Sequence, residues 1–113
     1  MKNLLILFLF INLMACITKL AMPTNNDVER VKDKYPGYTL QELNEGEILY
    51  RQNCATCHSL KHPALFTESQ WEKIVPAEVI KVNKQNGNTI IDKDYQRVLL
   101  RYLVTMATSP SAK

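Results

Sequence analysis

The sequence predicts an all-α fold of three main helices. Three observations predict it. Three stretches open on a helix-capping residue and then repeat apolar side chains at helical spacing. No βαβ pattern follows the chain's one close pair of cysteines. The length of 113 residues allows a single domain, and 46% hydrophobic with 22% charged residues describes a globular chain. The net charge is only +3, with no basic stripe, so nothing argues for nucleic acid as a partner. Three cysteines are too few for a disulfide scaffold and leave at least one thiol to account for.

The chain opens Met1-Lys2-Asn3 and then runs apolar from Leu4 to Ala15, broken only by Asn12. The run is shorter than the ~20 residues a membrane-spanning helix needs. A basic start, a short apolar core and a small residue at the end describe a secretory signal. A buried core helix is the alternative, but no polar face accompanies the apolar one. The run ends Leu13-Met14-Ala15-Cys16, which resembles the bacterial lipobox. That resemblance implies cleavage before Cys16 and lipidation of Cys16, which would tether the protein to the cell envelope of a bacterium, facing the periplasm or cell surface. Ordinary signal cleavage near Cys16 is the alternative. Removal of residues 1–15 takes Lys2 away and lowers the net charge to +2.

Residues 16–39 have no sustained helical period, so a lipidated linker is expected there. Tyr35-Pro36-Gly37-Tyr38 carries a strong turn signal. The mixed charges from Asp27 to Lys34 allow at most a short helical turn. Extended at ~3.3 Å per residue, such a linker reaches at most roughly 76 Å.

A domain is expected over residues 40–108, with a tail at 109–113. Thr39-Leu40-Gln41-Glu42 fits a capping box, placing a helix start near Leu40. Gly46, Tyr50 and Cys54 then share one helix face. Cys54-Ala55-Thr56-Cys57-His58 fits the attachment motif for c-type haem. Two thiols must meet the two vinyl groups of one macrocycle, so they lie about one helical turn apart, and the adjacent His58 is placed to ligate the iron. Dithiol redox chemistry and zinc also use paired cysteines. The first wants a βαβ context. The second would crowd four ligands, His62 included, into nine residues.

A loop with Pro63 follows, and His62 in it is expected to face solvent. Thr67-Glu68-Ser69-Gln70 fits a second capping box. Trp71, Ile74, Val75, Val79 and Val82 then mark a core face, with Glu78 in its middle. Pro76 is expected to kink or split this helix, which would turn Glu78 toward water. Asn86-Gly87-Asn88 signals a turn. Asp92 is placed to cap the last helix, where Tyr95, Val98, Leu99, Tyr102, Leu103 and Met106 form the clearest apolar stripe.

Residues 40–107 resemble the small class I cytochromes c. In that family a first helix carries Gly, an aromatic residue four later and the first haem Cys four after that. A last helix with an aromatic residue followed by Leu crosses it at the Gly. This chain has Gly46, Tyr50, Cys54, Cys57 and His58, then Tyr102-Leu103. The resemblance implies one covalent haem c, with His58 as proximal iron ligand and Tyr50, Trp71 and Tyr102 packing around the macrocycle. It also suggests Pro63 as acceptor for the proximal His Nδ1–H. Small members with this Trp-x-x-Ile-Val pattern carry a distal Met seven residues after the Trp, where this chain has Glu78. Met106 or Glu78 is therefore the candidate distal ligand, although Met106 also completes a core stripe.

The resemblance implies electron transfer between redox partner proteins rather than enzyme catalysis. Lys61, Lys73, Lys81 and Lys84 would supply a mildly basic docking face or simply a solvated one. With no assured Met ligand, a small-ligand (gas) sensor or minor peroxidase with an open distal site is the alternative. A domain of about 70 residues is marginal without a staple, a part the haem would play.

Overall fold

The structure, a computed structural model, describes residues 19–55 and 59–112. Cys16, Cys57 and His58 lie outside them. The described residues form four α-helices and two 3-10 turns and contain no strand. Helix α1 is Asn25–Arg30, α2 Leu40–Cys54, α3 Glu68–Asn86 and α4 Lys93–Ala107, with 3-10 turns at Pro63–Leu65 and Pro110–Ala112.

Each of the three expected helices starts where its capping residue stands. The Thr39 hydroxyl accepts from the Glu42 N–H at 3.1 Å and opens α2. The Glu42 carboxylate does not return to the cap. It takes Arg97 at 3.1 Å and Arg101 at 2.9 Å instead, tying the start of α2 to α4. Thr67 and Gln70 complete both halves of the second box. Asp92 Oδ1 accepts from the Tyr95 N–H at 2.9 Å and opens α4. Helix α3 ends at Gly87, whose φ of 71° is the left-handed conformation that glycine adopts without a Cβ clash.

Pro76 does not split α3; the helix runs unbroken over nineteen residues. Proline removes only the bond to the carbonyl four residues back, on exposed Glu72. Trp71 and Val75 before it, and Val79 and Val82 after it, bury against one core and hold both halves in the helix.

Helices α2 and α4 form the centre of the fold. A Cβ placed on Gly46 would lie 2.3 Å from the Tyr102 Cβ and 2.9 Å from the Val98 carbonyl oxygen. Glycine is what lets the two helix backbones approach this closely.

The expected linker is different in the structure. From Leu20 onward it packs on the core of the domain. Leu20, Val31 and Tyr38 are buried in the common core. Helix α1 carries a full capping box between Thr24 and Asp27. The buried Asp27 carboxylate accepts from the Thr24 N–H at 3.0 Å, the Thr24 hydroxyl at 2.7 Å and the Ser109 hydroxyl at 2.5 Å. Arg30 donates to the Thr105 carbonyl at 2.8 Å and to the Thr108 hydroxyl at 2.6 Å. The start and the end of the described chain are thus clasped together. The turn at Pro36-Gly37 forms as expected, with Gly37 at φ 77° and the Tyr38 N–H donating to the Tyr35 carbonyl at 3.1 Å. The Arg101 guanidinium lies 5.1 Å from the Tyr35 ring centre and 5.9 Å from that of Tyr38.

Candidate functional site

Helix α4 packs against both α2 and α3, whereas α2 and α3 barely meet each other. Between them lies a cavity of about 260 Å³. Helix α2 contributes Tyr50 and Cys54. Helix α3 contributes Trp71, Ile74, Val75, Glu78, Val79 and Val82, and α4 contributes Leu99 and Leu103. Lys61, Phe66 and Ile91 complete the wall. The lining is apolar except at Lys61, Glu78, the Tyr50 hydroxyl and the Cys54 thiol.

The aromatic side is fixed by hydrogen bonds to the loop. The Tyr50 hydroxyl donates to the Lys61 carbonyl at 2.5 Å. The Trp71 Nε1–H donates to the Pro63 carbonyl at 2.9 Å. Pro63, the suggested acceptor for a proximal histidine, thus already receives a bond from indole. Phe66 packs edge-on to Trp71 at 4.9 Å, and Trp71 edge-on to Tyr50 at 6.3 Å. Tyr102 does not reach the cavity wall. It stands behind Tyr50 at 5.9 Å and is fully buried at the Gly46 crossing. Of the three aromatic residues expected around a macrocycle, two line the cavity and the third supports one of them.

Cys54 ends α2 at this wall. Burial, with a smaller push from the Glu78 carboxylate, raises its thiol to about 11. Burial likewise raises the Tyr50 and Tyr102 hydroxyls above the ordinary tyrosine range, so both stay protonated; Tyr50 donates to the loop, while the Tyr102 hydroxyl is buried without a hydrogen-bond partner among the described residues.

The two candidate distal ligands occupy different places. Glu78 lines the cavity, with its side chain 39% exposed and an oxygen 2.7 Å from Lys81 Nζ. Glu78 therefore stands at the cavity's edge, partly in solvent. Met106 is 1% exposed and sits beside Ala21, His62, Pro63 and Tyr102, not among the cavity residues. His62 is half-buried rather than free in solvent, and its Nδ1 accepts from the Ala64 N–H at 3.2 Å to cap the 3-10 turn. Lys61, Lys73, Lys81 and Lys84 are all exposed.

Sequence reasoning missed Ile91 and what positions it. Asn83 Oδ1 accepts from the Ile90 and Ile91 N–H groups at 3.0 and 2.9 Å, and its Nδ2 donates to the Ile91 carbonyl at 2.9 Å. This amide folds the α3–α4 loop back so that Ile91 closes the wall. An asparagine inside an apolar helix pattern was the only available signal.

Among the described residues no group of three or more His, Cys, Asp or Glu stands close enough to hold a metal. The cavity walls are aliphatic and aromatic, and the first thiol of the haem motif stands in one of them. The residues present therefore fit a haem held through Cys54. No family model matches the chain, and no curated protein or solved structure matches it.

Proposed function

We propose that the chain is a membrane-anchored monohaem c-type cytochrome that carries electrons between redox partner proteins outside the cytoplasm. One observation carries this reading. Cys54, the first cysteine of Cys-x-x-Cys-His, lies on the wall of an apolar cavity enclosed by three helices. Cys54 and Cys57 would hold the macrocycle, and His58 would ligate its iron. When bound, the haem supplies a one-electron couple. The chain's own part is to hold and shield it. Tyr50 and Trp71, fixed by their bonds to Lys61 and Pro63, support one side. Ile74, Val75, Val79, Leu99 and Leu103 keep water from the rest. Among the described residues no helix is long and apolar enough to cross a membrane. The anchor in this reading is lipid on Cys16.

A second reading has its own observation: Glu78, not Met106, borders the cavity. An iron left open or weakly capped on that side would bind small ligands, as in a gas sensor or minor peroxidase. One preparation tests both. The full chain is produced in a bacterium that attaches c-type haem and assayed as the pyridine haemochrome after acid extraction. Haem retained by the chain is the expected result, and haem that extracts freely overturns both readings. Rapid binding of carbon monoxide to the ferrous protein would favour the open site. A six-coordinate His/Met spectrum would exclude it.

A further inference from the structure

We propose that the end of the molecule formed by Met22 and the Pro63–Leu65 turn lies on the membrane surface, held there by a leash of only three residues. The inference rests on the reading of Cys16 as lipidated and goes beyond it. The occupant of this face is the lipid surface: headgroups and the upper parts of the acyl chains.

The argument starts from where the fold begins. Leu20 is 5% exposed and belongs to the core. From Cys16 to Leu20 there are four Cα steps, with residues 17–19 between them. Fully extended, they span at most about 14 Å. The linker expected over residues 16–39 would have reached roughly five times as far. The packed start cannot easily peel off to lengthen the leash. Behind it stand the Thr24–Asp27 capping box, the Ser109 hydroxyl on Asp27, and the bonds of Arg30 to residues 105 and 108.

The surface at that point suits an interface with lipid. Ala21 shares a small cleft with His62 and Pro63, which puts the segment that carries Met22 beside the Pro63–Leu65 turn. Met22 is 79% exposed and Leu65 is 63% exposed. Leu65 also borders a groove of about 390 Å³ lined by Val31, Val104 and Ala107 on one part and by the paired Lys34 and Glu68 on another. Lys19, exposed beside Leu20, would face anionic headgroups. One weakly adhering apolar patch gains from a tether this short, because the local concentration of lipid is never low. The redox partner must then present its own site at the same membrane surface.

The test uses the full lipidated chain in vesicles of phosphatidylethanolamine and phosphatidylglycerol. It is compared with the same chain carrying a 20-residue Gly/Ser insertion between Lys19 and Leu20. Hydroxyl-radical modification is read residue by residue by mass spectrometry, and the mass of the first peptide reports lipid on Cys16. Met22 and Leu65 should be modified about fivefold more slowly in the native chain than in the insertion variant. Ile80 and Ile90 should be modified equally in both. Buried Met106 should stay unmodified in both, which confirms that the insertion leaves the fold intact. Equal rates at Met22 and Leu65 with Cys16 lipidated overturn the proposal alone. A Cys16 without lipid overturns the anchor reading and the proposal with it.

Discussion

The two sides of α2 are built on opposite plans. Toward α4 it is closed: Gly46 admits Tyr102 to direct contact, and Glu42 holds Arg97 and Arg101. The packed segment from Leu20 to Tyr38 and the clasp at Ser109 strengthen this same side. Toward α3 it is open, and the space between is apolar and sizeable. A helical domain this small gains nothing from such a space unless something fills it, because missing packing costs stability roughly in proportion to cavity volume. The closed side thus acts as the protein's own scaffold. The open side leaves an apolar space that, on the proposed reading, the haem would fill.

Substitutions on either side put this contrast to the test. The largest effect should come from Gly46→Ala on the closed side. Alanine gains about 1 kcal/mol in helix propensity, but its Cβ meets a backbone oxygen and a Cβ that cannot swing aside. A net loss of about 3 kcal/mol is expected in denaturant unfolding, and an unchanged midpoint would mean that the crossing is not tight.

Next comes Asp27→Asn at the clasp. Hydrogen bonds to a buried charged group contribute about 2 kcal/mol. Burial alone would raise the Asp27 carboxyl, but the bonds from Ser109, Thr24 and Arg30 outweigh it and hold the group below its ordinary value of 3.8. A carboxylate depressed in the folded state contributes fully above its unfolded value and loses that contribution as pH falls through its folded value. The native chain should therefore exceed the variant in stability at pH 7, and the gap should narrow below about pH 4. A gap that stays constant into acid would remove Asp27 from this role.

The smallest effect should be on the open side. Trp71→Phe keeps an aromatic ring at the cavity but loses the bond to the Pro63 carbonyl, for about 1 kcal/mol. Thermal unfolding would measure it, and a loss as large as that of Gly46→Ala would erase the difference between the two sides.

What the sequence made legible was local or periodic. Thr39, Thr67 and Asp92 announced their helices because a cap is satisfied within three residues. The stripe from Trp71 to Val82 and the one from Tyr95 to Met106 needed only helical spacing. Gly46 and Tyr102 were matched through a resemblance to cytochromes. The packed first segment was illegible because Leu20, Val31 and Tyr38 follow no period. The clasp was illegible because Ser109 lies 82 residues from Asp27. Pro76 misled because the breaking tendency of one proline is weaker than burial on both sides of it. The contrast between Glu78 and Met106 needed coordinates, since both sit on apolar stripes and only the packing of three helices decides which one meets the cavity.

The pairing of α2 with α4 has a consequence in time as well as in space. These neighbours come from opposite ends of the domain, and contacts so distant in sequence form late and slowly in folding. Leu99 and Leu103, which share the cavity wall with Cys54, arrive only when α4 docks. Before that moment the Cys54 thiol lacks the burial that pushes it up, and it is a readier nucleophile. The chain is therefore most open to covalent chemistry at Cys54 while it is still unfinished. On the haem reading, attachment at Cys54 would come before α4 docks.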